Sequence, residues 1–207
     1  MLNQPERRSE GWNDPSGADD RLGVDLASEN ALGGAFRVLV IGSSGAGKSH
    51  FAQRLGEATG LPVTHLDELY WLPNWQRRHS AGDWRSELKK VTGADRWIVD
   101  GNYPDSLELR AERADLAIVL RYSRWVCLYR AVTRAWLNRR PDDTVLHRET
   151  LDWEFIRIIW RFPKVGRREI ERLRALPNLR IVVLRNDDEA ERFLRAATHR
   201  GPGDDTC

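Results

Sequence analysis

Short apolar runs alternate with amphipathic segments along the middle of the chain, from about residue 36 to residue 197. Five of these runs are rich in Val, Ile and Leu and have the length of strands that are buried on both faces. They span residues 36–41, 62–66, 96–100, 115–120 and 179–184. Strands that alternate with helical segments are typical of an α/β domain built on a parallel sheet.

The segments between these runs repeat their apolar residues at the three- and four-residue spacing of a helix. This spacing predicts helices at about 48–58, 83–92, 105–113, 123–138, 149–161, 166–175 and 188–197. One apolar stripe, which we expect to face the core, consists of Leu151, Phe155, Ile158, Ile159 and Phe162. Pro163 follows that stripe and is expected to end its helix, because proline removes a backbone hydrogen bond.

The two ends of the chain lack any such periodicity. Residues 1–34 are rich in Asn, Asp, Ser, Gly and Glu, and we interpret them as a flexible extension, with a docking segment as the alternative. Residues 199–207 are interpreted in the same way, as a flexible tail. One domain is therefore predicted at residues 35–198.

The composition narrows the classes of function. The 207 residues are 41% hydrophobic and 31% charged, and 33 basic against 31 acidic side chains give a net charge of +2. This balance offers no global electrostatic reason for binding nucleic acid or a membrane. We expect no membrane span or signal peptide, and the two distant cysteines, Cys127 and Cys207, suit a reducing cytoplasm.

A glycine-rich segment directly follows the first apolar run and matches the full G-x-x-x-x-G-K-[ST] pattern of a phosphate-binding loop. It reads Gly42, Ser43, Ser44, Gly45, Ala46, Gly47, Lys48 and Ser49. Glycines let backbone N–H groups turn towards an anion, and the lysine reaches the outer phosphates. The Ser49 hydroxyl is expected to ligate Mg²⁺ at the start of a helix whose dipole favours negative charge. The segment predicts an ATP site, the alternative being a glycine-rich turn without a ligand.

Two aspartates stand where predicted strands end, which is the edge of a parallel sheet that binds ligands. Asp100 closes the third run and is expected to hold a water bound to Mg²⁺ beside the phosphate loop. Asp67 ends the second run and would orient or deprotonate the hydroxyl of a neutral acceptor, whereas a phosphate acceptor needs no base. The alternatives are a common Asp-Gly turn for Asp100 and a helix cap for Asp67.

Arginines cluster after the fourth run. Arg130 and Arg134 are four residues apart and share one helix face. Phosphoryl transfer spreads negative charge over the migrating oxygens, so we predict that this pair stabilises that charge. The alternative is a solvated helix surface. Arg139 and Arg140, in the segment that follows, are further candidates.

Tryptophans are clustered after the second run, at Trp71, Trp75 and Trp84. Their rings could stack on a base or sugar of an acceptor. The alternative is that they form the core of a small helical subdomain.

Over about residues 36–197 these features together resemble the adenylate-kinase-like DNA topology modulation proteins. The resemblance is carried by the phosphate loop and by residues 65–75, 97–103, 114–115, 127–130 and 160–164. It implies a P-loop kinase fold, with a five-stranded parallel sheet in the order 2-3-1-4-5, flanking helices and a short lid at about 137–148. Where adenylate kinases carry an arginine after Asp-Gly, this chain continues with Asn102 and Tyr103, and its nearest arginine is Arg110.

The phosphate loop and the resemblance together imply an ATP-dependent phosphotransferase. With ATP and Mg²⁺ as cofactors, it would transfer the γ-phosphoryl group to a small acceptor such as a nucleoside monophosphate. The alternative is a nucleotide-dependent regulator of DNA topology, or of a protein partner, that uses slow hydrolysis as a switch. The basic stretch at residues 157–172 could meet DNA phosphates, although a solvated helix surface is the simpler interpretation.

Overall fold

Five parallel strands form one sheet at the centre of the fold. The structure is a computed structural model that describes residues 31–72, 76–137 and 153–198. The strands are β1 (Arg37–Gly42), β2 (Val63–His65), β3 (Trp97–Asp100), β4 (Leu116–Leu120) and β5 (Arg180–Leu184). Their order across the sheet is β2-β3-β1-β4-β5, and every pairing is parallel. The predicted α/β class and strand order are therefore confirmed.

Seven α-helices connect or flank the strands within the described ranges. They are α1 (Lys48–Thr59), α2 (Leu66–Tyr70), α3 (Ala81–Gly93), α4 (Leu107–Ala111), α5 (Arg124–Leu137), α6 (Trp153–Arg174) and α7 (Asp187–Thr198). A single 3₁₀ turn, Pro104–Ser106, precedes α4. The predicted bounds agree within two residues for most elements, but α2 was not predicted and α6 replaces two predicted helices.

The prediction that Pro163 ends a helix is wrong, because α6 continues through it as one helix of 22 residues. An interior proline costs a helix about 3 kcal/mol, since it removes a hydrogen bond and crowds the preceding turn. Packing on both sides offsets that cost: Ile159 before the proline is buried, and so are Ile170 and Leu173 after it. Long-range contacts therefore override the local helix-breaking signal.

The predicted core stripe of α6 is only partly correct. Ile159 is 1% exposed, but its neighbour Ile158 is 52% exposed. Phe155 and Phe162 are half-buried, and Leu151 lies outside the described residues. Consecutive residues point about 100° apart around a helix, so Ile158 and Ile159 cannot both face the sheet.

The strands other than β2 are largely buried on both faces, which explains their continuous apolar sequences, whereas β2 is half-buried. On one face, Val38 of β1 packs in a cluster with Phe51 of α1 and Phe193 of α7. On the other face, Leu39 packs in a second cluster with Leu88 of α3. The two cores hold the sheet rigidly between helices and leave its carboxyl edge to carry the site.

The folded unit includes residues 31–34, which we had assigned to the extension. They form a turn in which Ala31 is 2% exposed, and Arg180 donates hydrogen bonds to the carbonyl oxygens of Ala31 and Leu32. The remainder of the predicted extension, the predicted lid and the predicted tail fall on residues 1–30, 138–152 and 199–207, outside the described parts. None of the described helices is long and apolar enough to cross a membrane.

Candidate active site

The phosphate loop joins the carboxyl end of β1 to the start of α1. Gly45 and Gly47 have φ angles of 80° and 85°, a backbone conformation that side chains with a Cβ rarely adopt. Gly47 is the N-cap of α1 and makes no side-chain cap hydrogen bond. The first N–H groups of α1 are therefore placed to bind an anion, with the helix dipole behind them.

Within the loop, Lys48 Nζ donates to the Ser43 carbonyl oxygen at 3.1 Å. The Oγ atom of Ser43 is buried and has no hydrogen-bond partner among the described residues. The Cys127 thiol lies beside this atom and offers at most a weak hydrogen bond. Ser44 and Ser49 are half-buried, whereas Ala46 is buried.

Asp100 lies beside the phosphate loop at the carboxyl end of β3. It pairs in register with Val40, two residues before Gly42, and its residue exposure is 3%. Its Oδ1 atom is 2.9 Å from His65 Nδ1, on the neighbouring strand β2. A carboxylate has about four acceptor sites, so Asp100 can hold a further ligand while it contacts His65.

The residues around Asp100 suit Mg²⁺ bound together with phosphates. Mg²⁺ is usually held by one or two carboxylates, substrate phosphates and waters. Asp100 and Ser49 could supply one carboxylate and one hydroxyl to such an ion. The described residues contain no cluster of three or more His, Cys, Asp or Glu side chains that would form an all-protein metal site.

Asn102 connects the loop after β3 to the phosphate loop, a contact that sequence spacing did not predict. Its Oδ1 atom accepts from Gly42 N at 3.0 Å, and its Nδ2 atom donates to Gly42 O at 2.7 Å. One side chain thus satisfies both polar groups of Gly42. The two hydrogen bonds hold the start of the phosphate loop beside the segment that follows Asp100.

Arg110 supports that segment from within the core. It is 0% exposed, and its guanidinium donates to four backbone carbonyl oxygens, those of Gly101, Asn102, Tyr103 and Ser106. Burial lowers the pKa of Arg110 to about 10, which still leaves it charged at neutral pH. All of these hydrogen bonds go to backbone oxygens of the segment that follows β3.

Asp67 lies in the first turn of α2. The prediction that it ends a strand is wrong, because β2 ends at His65. It is exposed, and its Oδ1 atom accepts from the Tyr103 hydroxyl at 2.7 Å. Burial, followed by the charge of Asp67, raises the pKa of Tyr103 above its ordinary value. Tyr103 therefore remains a hydrogen-bond donor to Asp67 at neutral pH. Its backbone is strained, with a φ angle of 29°.

Tyr103, the donor in this hydrogen bond, belongs to a cluster of four aromatic rings. Tyr70 is 4.8 Å from each of Trp71, Trp84 and Tyr103, measured between ring centroids. Trp84 is 7% exposed and belongs to the core, while the other three are half-buried. Trp84 thus fits the core interpretation, the stacking role of Trp71 stays a prediction, and Trp75 lies outside the described residues.

The predicted arginine pair lies on α5, whose first turn packs against the phosphate loop at Cys127. Arg130 Nη2 is 2.5 Å from Asp187 Oδ2, at the start of α7. The Tyr122 hydroxyl donates to the other oxygen of Asp187 at 2.9 Å, and the Arg130 guanidinium lies over the Tyr122 ring. Arg134 is half-buried one turn further along α5. Arg139 and Arg140 fall outside the described residues.

No protein-family model and no curated protein matches the chain. Among solved structures, shikimate kinase from Acinetobacter baumannii in complex with shikimate is similar, with a TM-score of 0.52 and 14% identity over 80% of this chain and 94% of that one. The chain has the fold of the P-loop kinases. Gluconokinase from Sinorhizobium meliloti 1021 aligns with a TM-score of 0.49 and 17% identity over 78% and 91% of the two chains. Deoxyadenosine kinase from M. mycoides aligns with a TM-score of 0.43 and 13% identity, over 74% of this chain and 95% of that one.

On this P-loop kinase fold, a further carboxylate near the site was missed by sequence reasoning. Glu169 of α6 is only 4% exposed. Burial raises the pKa of Glu169, and the charges of Arg110, Arg172 and Lys48 oppose that shift. In the sequence Glu169 stands within a run of charged residues, which is why it looked like part of a solvated surface.

Proposed function

We propose that the protein is an ATP-dependent phosphotransferase that transfers the γ-phosphoryl group of ATP to a small acceptor. The observation that carries this proposal is the complete phosphate loop between β1 and α1, with Asp100 buried at the carboxyl end of the adjacent strand. Phosphoryl transfer depends on positioning and on charge stabilisation, and this edge of the sheet offers groups that could supply both.

On the nucleotide side, the loop amides and Lys48 would bind the β- and γ-phosphates. Ser49 and Asp100 would hold Mg²⁺, which supplies positive charge to the phosphates. Lys48 now donates to a carbonyl oxygen of its own loop, a contact that a phosphate oxygen would replace with a stronger, charge-assisted one.

Charge that develops during transfer would be stabilised by Arg130 and Arg134. Arg130 follows Cys127 by one helical turn on α5, and Cys127 touches the phosphate loop. Asp187 and Tyr122 hold the Arg130 guanidinium at the carboxyl edge of the sheet. Arginines in such a position can reach nucleotide oxygens after a small movement of the helix.

The test removes the positive charge of Lys48 from the phosphate loop. Lys48→Ala should abolish Mg²⁺-dependent transfer and weaken ATP binding, since the loop backbone alone remains. Lys89→Ala is the matched control, because Lys89 is an exposed lysine of α3. Turnover is measured with γ-labelled ATP and binding by calorimetry, on variants whose fold is checked by circular dichroism. Equal turnover in the two variants would refute the proposal.

A nucleotide-dependent regulator of DNA is the second candidate, favoured by one observation. The basic residues of α6 at positions 157, 161, 164, 167 and 168 are exposed. Nanomolar binding to duplex DNA at physiological salt that requires ATP but no acceptor would favour this function. Weak binding with a steep salt dependence would indicate a solvated basic surface.

A further inference from the structure

In the described structure, the arginine that follows the Asp100 segment in sequence is not available to hold an acceptor phosphate. An anionic acceptor is normally held by arginine or lysine donors. Arg110 is the nearest arginine in sequence after the Asp100 segment, but it is fully buried. Its guanidinium already donates to four carbonyl oxygens of the loop that contains Asn102 and Tyr103. Arg110 is therefore committed to holding the backbone and does not reach a ligand.

The acceptor side does present an exposed carboxylate. Asp67 is exposed, and Tyr103 holds one of its oxygens at 2.7 Å. Tyr103 directly follows Asn102, which forms two hydrogen bonds with Gly42 at the start of the phosphate loop. Asp67 is thus positioned relative to the phosphate loop through a short chain of contacts. A carboxylate repels a phosphate and attracts a hydroxyl group, which can donate to it.

Beside this carboxylate lie partly exposed aromatic faces. Tyr70, Trp71 and Tyr103 are half-buried, and the Tyr70 and Tyr103 ring centroids are 4.8 Å apart. Aromatic faces stack on the rings of sugars and bases without requiring charge on the ligand. The surroundings of Asp67 therefore suit a ring compound with a hydroxyl group.

We propose that the acceptor is an uncharged ring compound, a sugar or a nucleoside, which reacts through a hydroxyl group; this rests on the proposed function. Asp67 accepts the hydroxyl proton as the hydroxyl oxygen forms a bond to the γ-phosphorus of ATP. The bond from that phosphorus to the β–γ bridging oxygen breaks, and ADP leaves with the electron pair. The products are a phosphate monoester and ADP, and the proton passes from Asp67 to solvent.

The first experiment compares matched pairs of acceptors on the full chain with ATP and Mg²⁺. The pairs are adenosine and AMP, cytidine and CMP, and glucose and glucose 6-phosphate, so each pair shares a ring and differs by one phosphate. We expect the uncharged member of at least one pair to be phosphorylated with a kcat/KM at least about 10-fold higher than that of its partner. Preference for a phosphorylated member would overturn the inference, as would failure of all six with protein that binds ATP. Loss of ATP binding itself would refute the proposed function instead.

The second experiment tests the residues on the acceptor that reacts. Asp67→Asn should lower kcat by about 10²- to 10⁴-fold at retained ATP affinity, because the amide cannot take the proton. Glu68→Gln, an exposed neighbour on α2, is the matched control and should leave kcat and KM unchanged. Arg77, which lies over the Tyr70 ring, is the exposed cation that an anionic acceptor would recruit. A raised KM in Arg77→Gln, with kcat unchanged in Asp67→Asn, would assign an anionic acceptor and overturn the inference.

Discussion

Gly45 lets the phosphate loop lie directly against the first turn of α5. A Cβ atom at this position would overlap the carbonyl oxygen of Cys127 and come within 2.9 Å of its carbonyl carbon. Cys127 is itself 0% exposed, so the helix backbone cannot shift without disturbing the core. Gly45→Ala should therefore push the loop and α5 apart.

Gly47 provides the control for this substitution. Its φ of 85° is close to the 80° of Gly45, but a Cβ atom there meets nothing within 4 Å. In both alanine variants the left-handed backbone conformation destabilises the fold by about 1–2 kcal/mol. Gly45→Ala adds an overpacking cost of about 1–3 kcal/mol, because a carbonyl group must move. We expect a total of about 2–5 kcal/mol for Gly45→Ala and about 1–2 kcal/mol for Gly47→Ala.

The assay is urea unfolding of both variants and the parent without nucleotide, followed by tryptophan fluorescence. Omitting nucleotide matters because a Cβ at Gly47 would also crowd a bound phosphate. A larger loss of unfolding free energy in Gly45→Ala is expected. Equal losses in the two variants would refute the packing of α5 on the loop, and with it the basis for the proposed role of Arg130 at the nucleotide.

Two further predictions concern acidic groups. Asp100→Asn should raise the Mg²⁺ concentration for half-maximal turnover and lower the rate by orders of magnitude, because an amide is a poor partner for the metal's water shell. The control is Asp95→Asn, which changes an exposed residue near the start of β3. Equal Mg²⁺ titrations of the two variants would mean that Asp100 is only a turn residue. Because burial raises the pKa of Glu169, this group stabilises the fold below its unfolded pKa and loses that contribution as pH rises through the folded value. Glu169→Gln should therefore flatten the fall in unfolding free energy above about pH 4.3, and an unchanged pH slope would contradict the buried position of the carboxyl group.

Local patterns were sufficient to predict the five strands and the position of the phosphate loop. Apolar runs located the strands, and the spacing from Gly42 to Ser49 located the phosphate loop because its function depends on consecutive backbone groups. Asp100 was predictable because it directly ends a strand. The strand order itself came from the resemblance to a known family, since spacing alone does not determine which strands are neighbours.

Long-range contacts explain what sequence reasoning missed. Nothing in the spacing around Asn102 indicates that its amide pairs with Gly42, 60 residues away. Glu169 resembled a surface residue until the packing of α6 placed it in the core. The same packing carries α6 through Pro163, against a local signal that correctly ends many helices.

In the proposed mechanism, the segment from Asp100 to Ser106 belongs to both halves of the site, which has a mechanistic consequence. Asp100 would hold the metal on the nucleotide side, Asn102 binds Gly42, and Tyr103 donates to Asp67 on the proposed acceptor side. Arg110 fixes the backbone of this segment from below through four carbonyl oxygens. In-line transfer requires the γ-phosphate of ATP and the acceptor hydroxyl to be closely aligned. One rigid segment that sets both positions would remove much of the entropic cost of that alignment. The strained φ of Tyr103 is consistent with this role, since only a backbone held at several points retains such a conformation.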